Sequence, residues 1–202
     1  MQQQLIDNAF DSLKKHILKR TLFTDGELTE FCSHFTPMLI KKKQFIVQPD
    51  FAIKYRYYVA TGVFRAYVIG DEGQEHTIQF AVDDWWITDY NSYILQQPAT
   101  QFIVALEDSV VLKIEFDAEK QLKKSCHAFE TYFRILAEAT AAYMARRVII
   151  NLTKTAEQRY EHFVERYPAI ANKVPQYMVA SFLGMTTEYL SKIRNQRITR
   201  KS

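Results

Sequence analysis

Glu188 and Lys192 stand four residues apart near the end of a 202-residue chain. On a helix, positions i and i+4 share one face. A carboxylate placed there can accept from a cytosine amino group, and an ammonium can donate to guanine O6 or N7. Thr187 and Ser191 adjoin them and carry hydroxyls suited to the same reading of base edges. Thr186 precedes this group, and Arg194, Arg197, Arg200 and Lys201 follow it with donors fitted to phosphate. The last eleven residues, Lys192 to Ser202, hold five bases and no acid. The chemistry on offer is hydrogen bonding and charge neutralisation on a polyanion.

Such side chains need a rigid frame, and the residues before them predict one. In "VPQYMVASFLGMTTEYLSKIRNQR", Val174 to Arg197, Val179 and Leu183 are a helical interval apart, and so are Leu190 and Ile193. Gly184 tolerates the positive φ that stops a helix. Thr186 can cap the next one, and Pro175 suits a first turn. The stretch therefore predicts a helix, a tight turn and a second helix from Thr187 to about Asn195. That is helix-turn-helix geometry, in which the second helix brings its N-terminus to the bases of the major groove. An ordinary helical hairpin with a solvated face shares the local pattern, so the rest of the chain must decide.

The charge is unevenly spread. Residues 140–202 hold 11 Lys/Arg against 4 Asp/Glu, while residues 1–139 hold 15 against 19. A basic end favours a polyanionic partner. Hydrophobic residues make up 48% of the chain, enough for a sizeable core. Cys32 and Cys126 imply neither a disulfide framework nor a thiolate metal cluster. The histidines are scattered, and neither a nucleophile elbow nor a phosphate-binding glycine loop is present. Asp83, Asp84 and Asp89 could hint at acid–base work, but an exposed loop explains them better. The expectation is a protein that is not an enzyme and needs no cofactor or metal. The N-terminus lacks a secretory pattern, and the apolar runs are too short for a bilayer. A cytoplasmic setting away from the membrane is expected.

Residues 1–36 read as helical, with a turn at Asp25-Gly26 and an end at Pro37. From Leu39 to Phe116 the texture changes to short β-branched and aromatic runs, such as "YRYYVATGVFRAYVI" and "SVVLKIEF". "IGDEGQ" is the clearest hairpin turn. Many short strands predict an antiparallel barrel or jelly roll. A long helix follows from about Cys126 to Asn151. Phe129, Phe133, Leu136, Thr140, Tyr143, Arg147 and Ile150 recur on it at nearly 3.5 residues, the seam of a paired helix. Packing within one chain would leave the same stripe. Thr155 and Gln158 then make a capping box, and Pro168 ends the helix it opens. The expected organisation is an α+β chain: a sensor-like β roll over residues 1–125, a dimerisation helix over 126–151 and a helix-turn-helix domain over 152–202.

This order resembles the family of the cyclic-AMP receptor protein and the fumarate–nitrate regulator (Crp/Fnr), over nearly the whole chain. Ala180 and Gly184 match the small residue and turn glycine of its helix-turn-helix. Thr186, Thr187, Glu188 and Lys192 stand where many members carry serine, arginine, glutamate and a later arginine. The resemblance implies a cyclic-nucleotide-binding-like jelly roll, a homodimer and a bacterial transcription regulator. Its partners would be double-stranded DNA at a near-palindromic site, and RNA polymerase. The family's β wing would be short or absent in a winged-helix-like terminal domain. Gly62 matches the roll's central glycine, but the ligand cassette departs. Ile87 and Thr88 replace its Gly-Glu, and Ala99 stands near its arginine, before Thr100. A cyclic phosphate would lose its counter-charge, so cyclic nucleotides are not the expected ligand. Arg56, Tyr58, Arg65, Trp85, Trp86, Asp89, Tyr90 and Thr100 either line a pocket for another small effector or fill the roll. A ligand-sensing or protein-interaction module without a DNA role is the alternative.

Overall fold

The computed structural model describes the backbone of residues 2–201 and the side chains of residues 2–196. Two helices open the chain, α1 (Gln2–Leu18) and α2 (Asp25–Ser33). The turn expected at Asp25-Gly26 is instead the first turn of α2. Thr24 accepts from the Glu27 amide while the Glu27 carboxylate accepts from the Thr24 amide, so a reciprocal capping box starts the helix there.

Eight strands follow: β1 (Phe35–Ile40), β2 (Phe45–Val47), β3 (Tyr55–Thr61), β4 (Phe64–Ile69), β5 (Glu75–Ala81), β6 (Trp85–Ile87), β7 (Phe102–Ala105) and β8 (Ser109–Glu115). A short helix, α3 (Tyr90–Leu95), interrupts them after β6. The strands form two four-stranded sheets, ordered β1-β8-β3-β6 and β2-β7-β4-β5. The pairs β1–β8, β3–β8, β3–β6 and β2–β7 are antiparallel. β1 holds Pro37 because it is a sheet edge, where a missing amide donor costs no ladder bond. Apolar side chains of both sheets, among them Val47, Val59, Ile103 and Val111, share one cluster. Gly62 is required between β3 and β4. Its φ is +126°, and a Cβ there would lie 2.0 Å from Ser109 Oγ.

The helices α4 (Phe116–Ser125), α5 (His127–Thr153), α6 (Ala156–Arg166), α7 (Pro168–Lys173), α8 (Gln176–Leu183) and α9 (Thr187–Lys201) complete the chain. The chain divides into two compact units inside α5. One contains residues 1–66 and 80–140, and the other 67–79 and 141–202. The expected helix–DNA-domain boundary near residue 152 is thus not where packing separates. The second half of α5 belongs with the terminal helices, and so does the arm formed by the β4–β5 turn.

In the front unit, Phe129, Tyr132, Phe133 and Leu136 of α5 are buried against Phe23, Phe31 and the outer face of β3 and β8. This corrects the expected pairing seam. Phe129, Phe133 and Leu136 face their own chain and are unavailable to a partner. Thr140 also turns inward locally, its hydroxyl donating to the Leu136 carbonyl at 2.8 Å. In the terminal unit, Tyr143, Arg147 and Ile150 line a cavity against α6 and α8. A different face of α5 is open: Val148, Ile149 and Leu152 are 57%, 59% and 81% exposed.

The arm of the terminal unit packs on α8. Ser181 Oγ accepts from the Thr77 amide and donates to the Glu75 carbonyl, each at 2.8 Å. β5 is a sheet edge, and this hydroxyl satisfies main-chain groups that an edge leaves unpaired. Arg147 reaches the same arm by donating to the Ile78 carbonyl. Among the described residues no helix is long and apolar enough to cross a membrane, and no cluster of His, Cys, Asp and Glu could hold a metal ion.

Candidate nucleic-acid interface

α8 ends at Gly184, whose φ of 66° and ψ of 44° are left-handed. Its amide donates back to the Ser181 carbonyl at 3.2 Å, and the Met185 amide to the Ala180 carbonyl at 3.0 Å. A Cβ on Gly184 would meet nothing within 4 Å, so glycine is favoured there for conformation rather than space. Thr186 Oγ1 accepts from the Tyr189 amide at 3.2 Å and starts α9. Thr186 is exposed, and its hydroxyl hydrogen is still available to an acceptor such as phosphate.

The inner face of the pair is apolar. Val179, Ala180, Leu183, Leu190 and Ile193 are all buried. On α9 the opposite stripe, Glu188, Lys192 and Asn195, is exposed. Among the described residues neither Glu188 nor Lys192 is held by a hydrogen bond or an ion pair. Thr187 and Ser191 are half-buried beside them, with Ser191 Oγ donating to the Thr187 carbonyl at 2.9 Å. Arg194 is half-buried one turn beyond. The side chains of Arg197, Arg200 and Lys201 lie outside the described residues. α9 runs to Lys201, so the segment where a wing strand would begin is helical.

Two residues of α6 grip the pair. Arg159 Nε donates to the Leu183 carbonyl at 3.2 Å, closing the end of α8. Tyr189 donates its hydroxyl hydrogen to Glu157 at 2.6 Å. That bond holds the Glu157 carboxyl below the usual carboxylate range and pushes the Tyr189 phenol up. Sequence reading passed over both, because neither partner has a local signal.

In the front unit, the residues expected around an effector are brought together in small groups that bond to one another. Arg56 is buried. Its guanidinium is 3.3 Å from the Glu119 carboxylate and lies 4.5 Å from the Trp86 ring centroid and 5.7 Å from that of Tyr90. Tyr93 donates to the same carboxylate at 3.1 Å, and Lys123 also donates to it. Burial would raise the Glu119 pKa, but Arg56 and Lys123 outweigh it and hold the group below its ordinary value. Tyr58 donates to Asp84 at 2.6 Å and lies 2.8 Å from Ser12 Oγ. Asp89 is buried and caps α3. It accepts from the Thr100 amide at 2.7 Å and the Thr100 hydroxyl at 2.9 Å. Arg65 is buried, and Trp85 is half-buried. Glu119, unremarkable in the sequence, supplies the carboxylate that neutralises Arg56.

No family model matches the sequence, and no curated protein matches it. Solved structures do. FixK2 of Bradyrhizobium japonicum superimposes with a TM-score of 0.72 at 17% identity, over 83% of this chain and 86% of that one. A transcriptional regulator of the Crp/Fnr family from Eubacterium rectale gives 0.66 at 17% identity, over 88% and 85%. A variant of CooA from Carboxydothermus hydrogenoformans gives 0.65 at 18%, over 85% and 79%. The fold is that of the Crp/Fnr regulators. At these identities the likeness speaks for architecture: a cyclic-nucleotide-binding-like roll, a long helix and a terminal helix-turn-helix.

Proposed function

We propose that the chain is a sequence-specific DNA-binding transcription regulator that acts as a homodimer on a near-palindromic site. The observation that carries this reading is α9. Leu190 and Ile193 anchor it, while Glu188 and Lys192 project from the opposite face without a partner among the described residues. Its occurrence in a fold shared with Crp/Fnr regulators supports the same conclusion. In the dimer, the exposed Val148, Ile149 and Leu152 of α5 meet their copies. The two recognition helices then lie about 34 Å apart, one turn of duplex. The roll is read as a scaffold, since Arg56, Tyr58 and Asp89 are bonded inside it.

Selection of genomic fragments by the purified protein, followed by sequencing, tests the proposal. A two-fold motif with half-sites spaced by one helical turn is the expected result. Equal, salt-insensitive binding to every duplex would instead favour a sensing or protein-interaction module. Transcription from a selected fragment by bacterial RNA polymerase then reads the effect on that enzyme.

A further inference from the structure

A cavity of about 260 Å³ opens in the terminal unit, bounded by the second half of α5, by α6 and by the end of α8. Arg146, Arg147, Arg159, His162 and Arg166 line it, and no Asp or Glu does. The remaining wall is largely aromatic and apolar: Tyr143, Phe163, Tyr167, Phe182 and Leu183. The four arginines fall into two pairs. Arg147 donates to the carbonyls of Ile78 and Phe182, with its guanidinium 4.1 Å from the Phe182 ring centroid. Arg159 donates to the carbonyls of Leu183 and Lys154. These hydrogen-bond partners are neutral, although Arg159 also acts on the nearby Glu157 carboxylate outside the cavity. Arg146 and Arg166 are exposed, and among the described residues neither forms an ion pair.

We propose that this cavity binds a small organic acid, its carboxylate held by Arg146 and Arg166 and its flat apolar body laid against Tyr143 and Tyr167. Guanidinium groups take carboxylates through charge-assisted, paired hydrogen bonds. Aromatic walls supply the apolar contact that a bare inorganic anion or a duplex backbone would not use. The volume lies just under the roughly 300 Å³ at which pockets for drug-sized ligands begin, which suits an acid built on one or two rings. Arg147 and Arg159 add favourable field without having to move. Phe182 and Leu183 are the last residues of α8, next to Gly184, so an occupant touches the turn that sets α9. The effect on DNA binding rests on the function proposed above; the binding of the acid does not.

The test uses the intact protein without DNA. Phenylacetate and indole-3-acetate are titrated by calorimetry beside their neutral amides, phenylacetamide and indole-3-acetamide. At least one acid should saturate at millimolar or lower concentration and bind at least about tenfold tighter than its amide. Arg146→Gln with Arg166→Gln should abolish that preference. Both side chains are exposed, so the fold should persist by circular dichroism. Arg194→Gln, outside the cavity, should leave the preference intact. Failure of both acids to saturate overturns the proposal, as does an amide that binds as well as its acid or a preference that survives in the double variant. DNA affinity is then measured with and without the bound acid. A change seen only in the protein with Arg146 and Arg166 supports the coupling, and an unchanged affinity overturns it. A protein that binds the acid but no DNA overturns the regulator reading alone.

Discussion

In the proposed DNA complex, Glu188 reads a base while Arg194 holds a phosphate. It lies in the first turn of α9, exposed and without a partner among the described residues. Glu188→Ala should relax the preference at one position of each half-site, with a loss of discrimination of roughly 1–3 kcal/mol. Arg194→Ala should weaken all sequences nearly alike and lower the salt slope by about 1. Competition against a library of half-site variants at two salt concentrations checks both. A Glu188→Ala preference matrix that overlays the parent's would assign Glu188 to helix stability instead. His16 carries a second residue-scale consequence. It is buried, with Nδ1 2.8 Å from the Tyr132 hydroxyl, which also accepts from Trp86 Nε1 at 3.3 Å. Which of the two donates in the His16–Tyr132 bond follows the imidazole tautomer, since a phenol oxygen can accept from both the indole and the imidazole. Burial, then Arg20, holds its pKa at about 4, against the opposing pull of Asp84. The unfolded chain takes up this proton near its ordinary value of about 6.5, the native chain only near 4. The stabilisation is therefore complete above about pH 6.5 and declines as pH falls towards 4, by at most about 3 kcal/mol. Urea midpoints near pH 7 and near pH 5 should differ less in His16→Gln than in the parent; equal losses would place the pH dependence elsewhere.

At the scale of elements, α5 closes the front core with one face and, in the proposed dimer, meets its copy with another. Its 3.5-residue stripe from Phe129 to Ile150 reads as a dimer seam, yet Phe129, Phe133 and Leu136 close the front core. A repeat in one sequence shows which residues share a face, not whose surface covers it. On the second half of α5, Ala141, Ala145, Val148, Ile149 and Leu152 share one apolar face, while Tyr143, Arg147 and Ile150 on another line the cavity. An exposed apolar stripe of that kind is the sort of helix face that a second surface covers. Val148→Asp with Leu152→Asp should give a folded monomer whose melting temperature no longer depends on protein concentration, because both residues are exposed within the chain. Leu136→Asp should instead cost at least the roughly 2–5 kcal/mol of a core Leu→Ala change. Sedimentation and thermal melting distinguish the two outcomes, and a persistent dimer in the double variant would move the interface off this face.

For the molecule as a whole, the question is what reaches the front unit. Arg56 lies over the Trp86 ring of the aromatic cassette, and Glu119 already neutralises it. Thr88 donates its hydroxyl to the Tyr55 carbonyl at 3.1 Å, and Ala99 is buried. To take its counter-charge from Arg56, a cyclic phosphate would have to displace the buried Glu119 carboxylate, which would then keep only Lys123 and Tyr93. Titration calorimetry with cyclic AMP and cyclic GMP should show no saturable heat at low micromolar ligand; stoichiometric binding of either would mean that Arg56 or Arg65 neutralises the phosphate.

The helix-turn-helix was legible in the residues because its signals are local. Gly184, Thr186 and the spacing of Leu190 and Ile193 act within one or two turns of chain, and the strands and the Thr155–Gln158 box are marked as closely. The short helix α3 was not legible, since its cap, Asp89, is stabilised by Thr100 from across a loop. Tertiary structure alone decided which face of α5 its own chain covers. It also paired Arg56 with Glu119, 63 residues away, and joined Arg147 and Arg159 to the end of α8. The reason is physical: caps and turns are bonds between near neighbours, whereas burial and charge pairing depend on which surfaces the folded chain brings into contact.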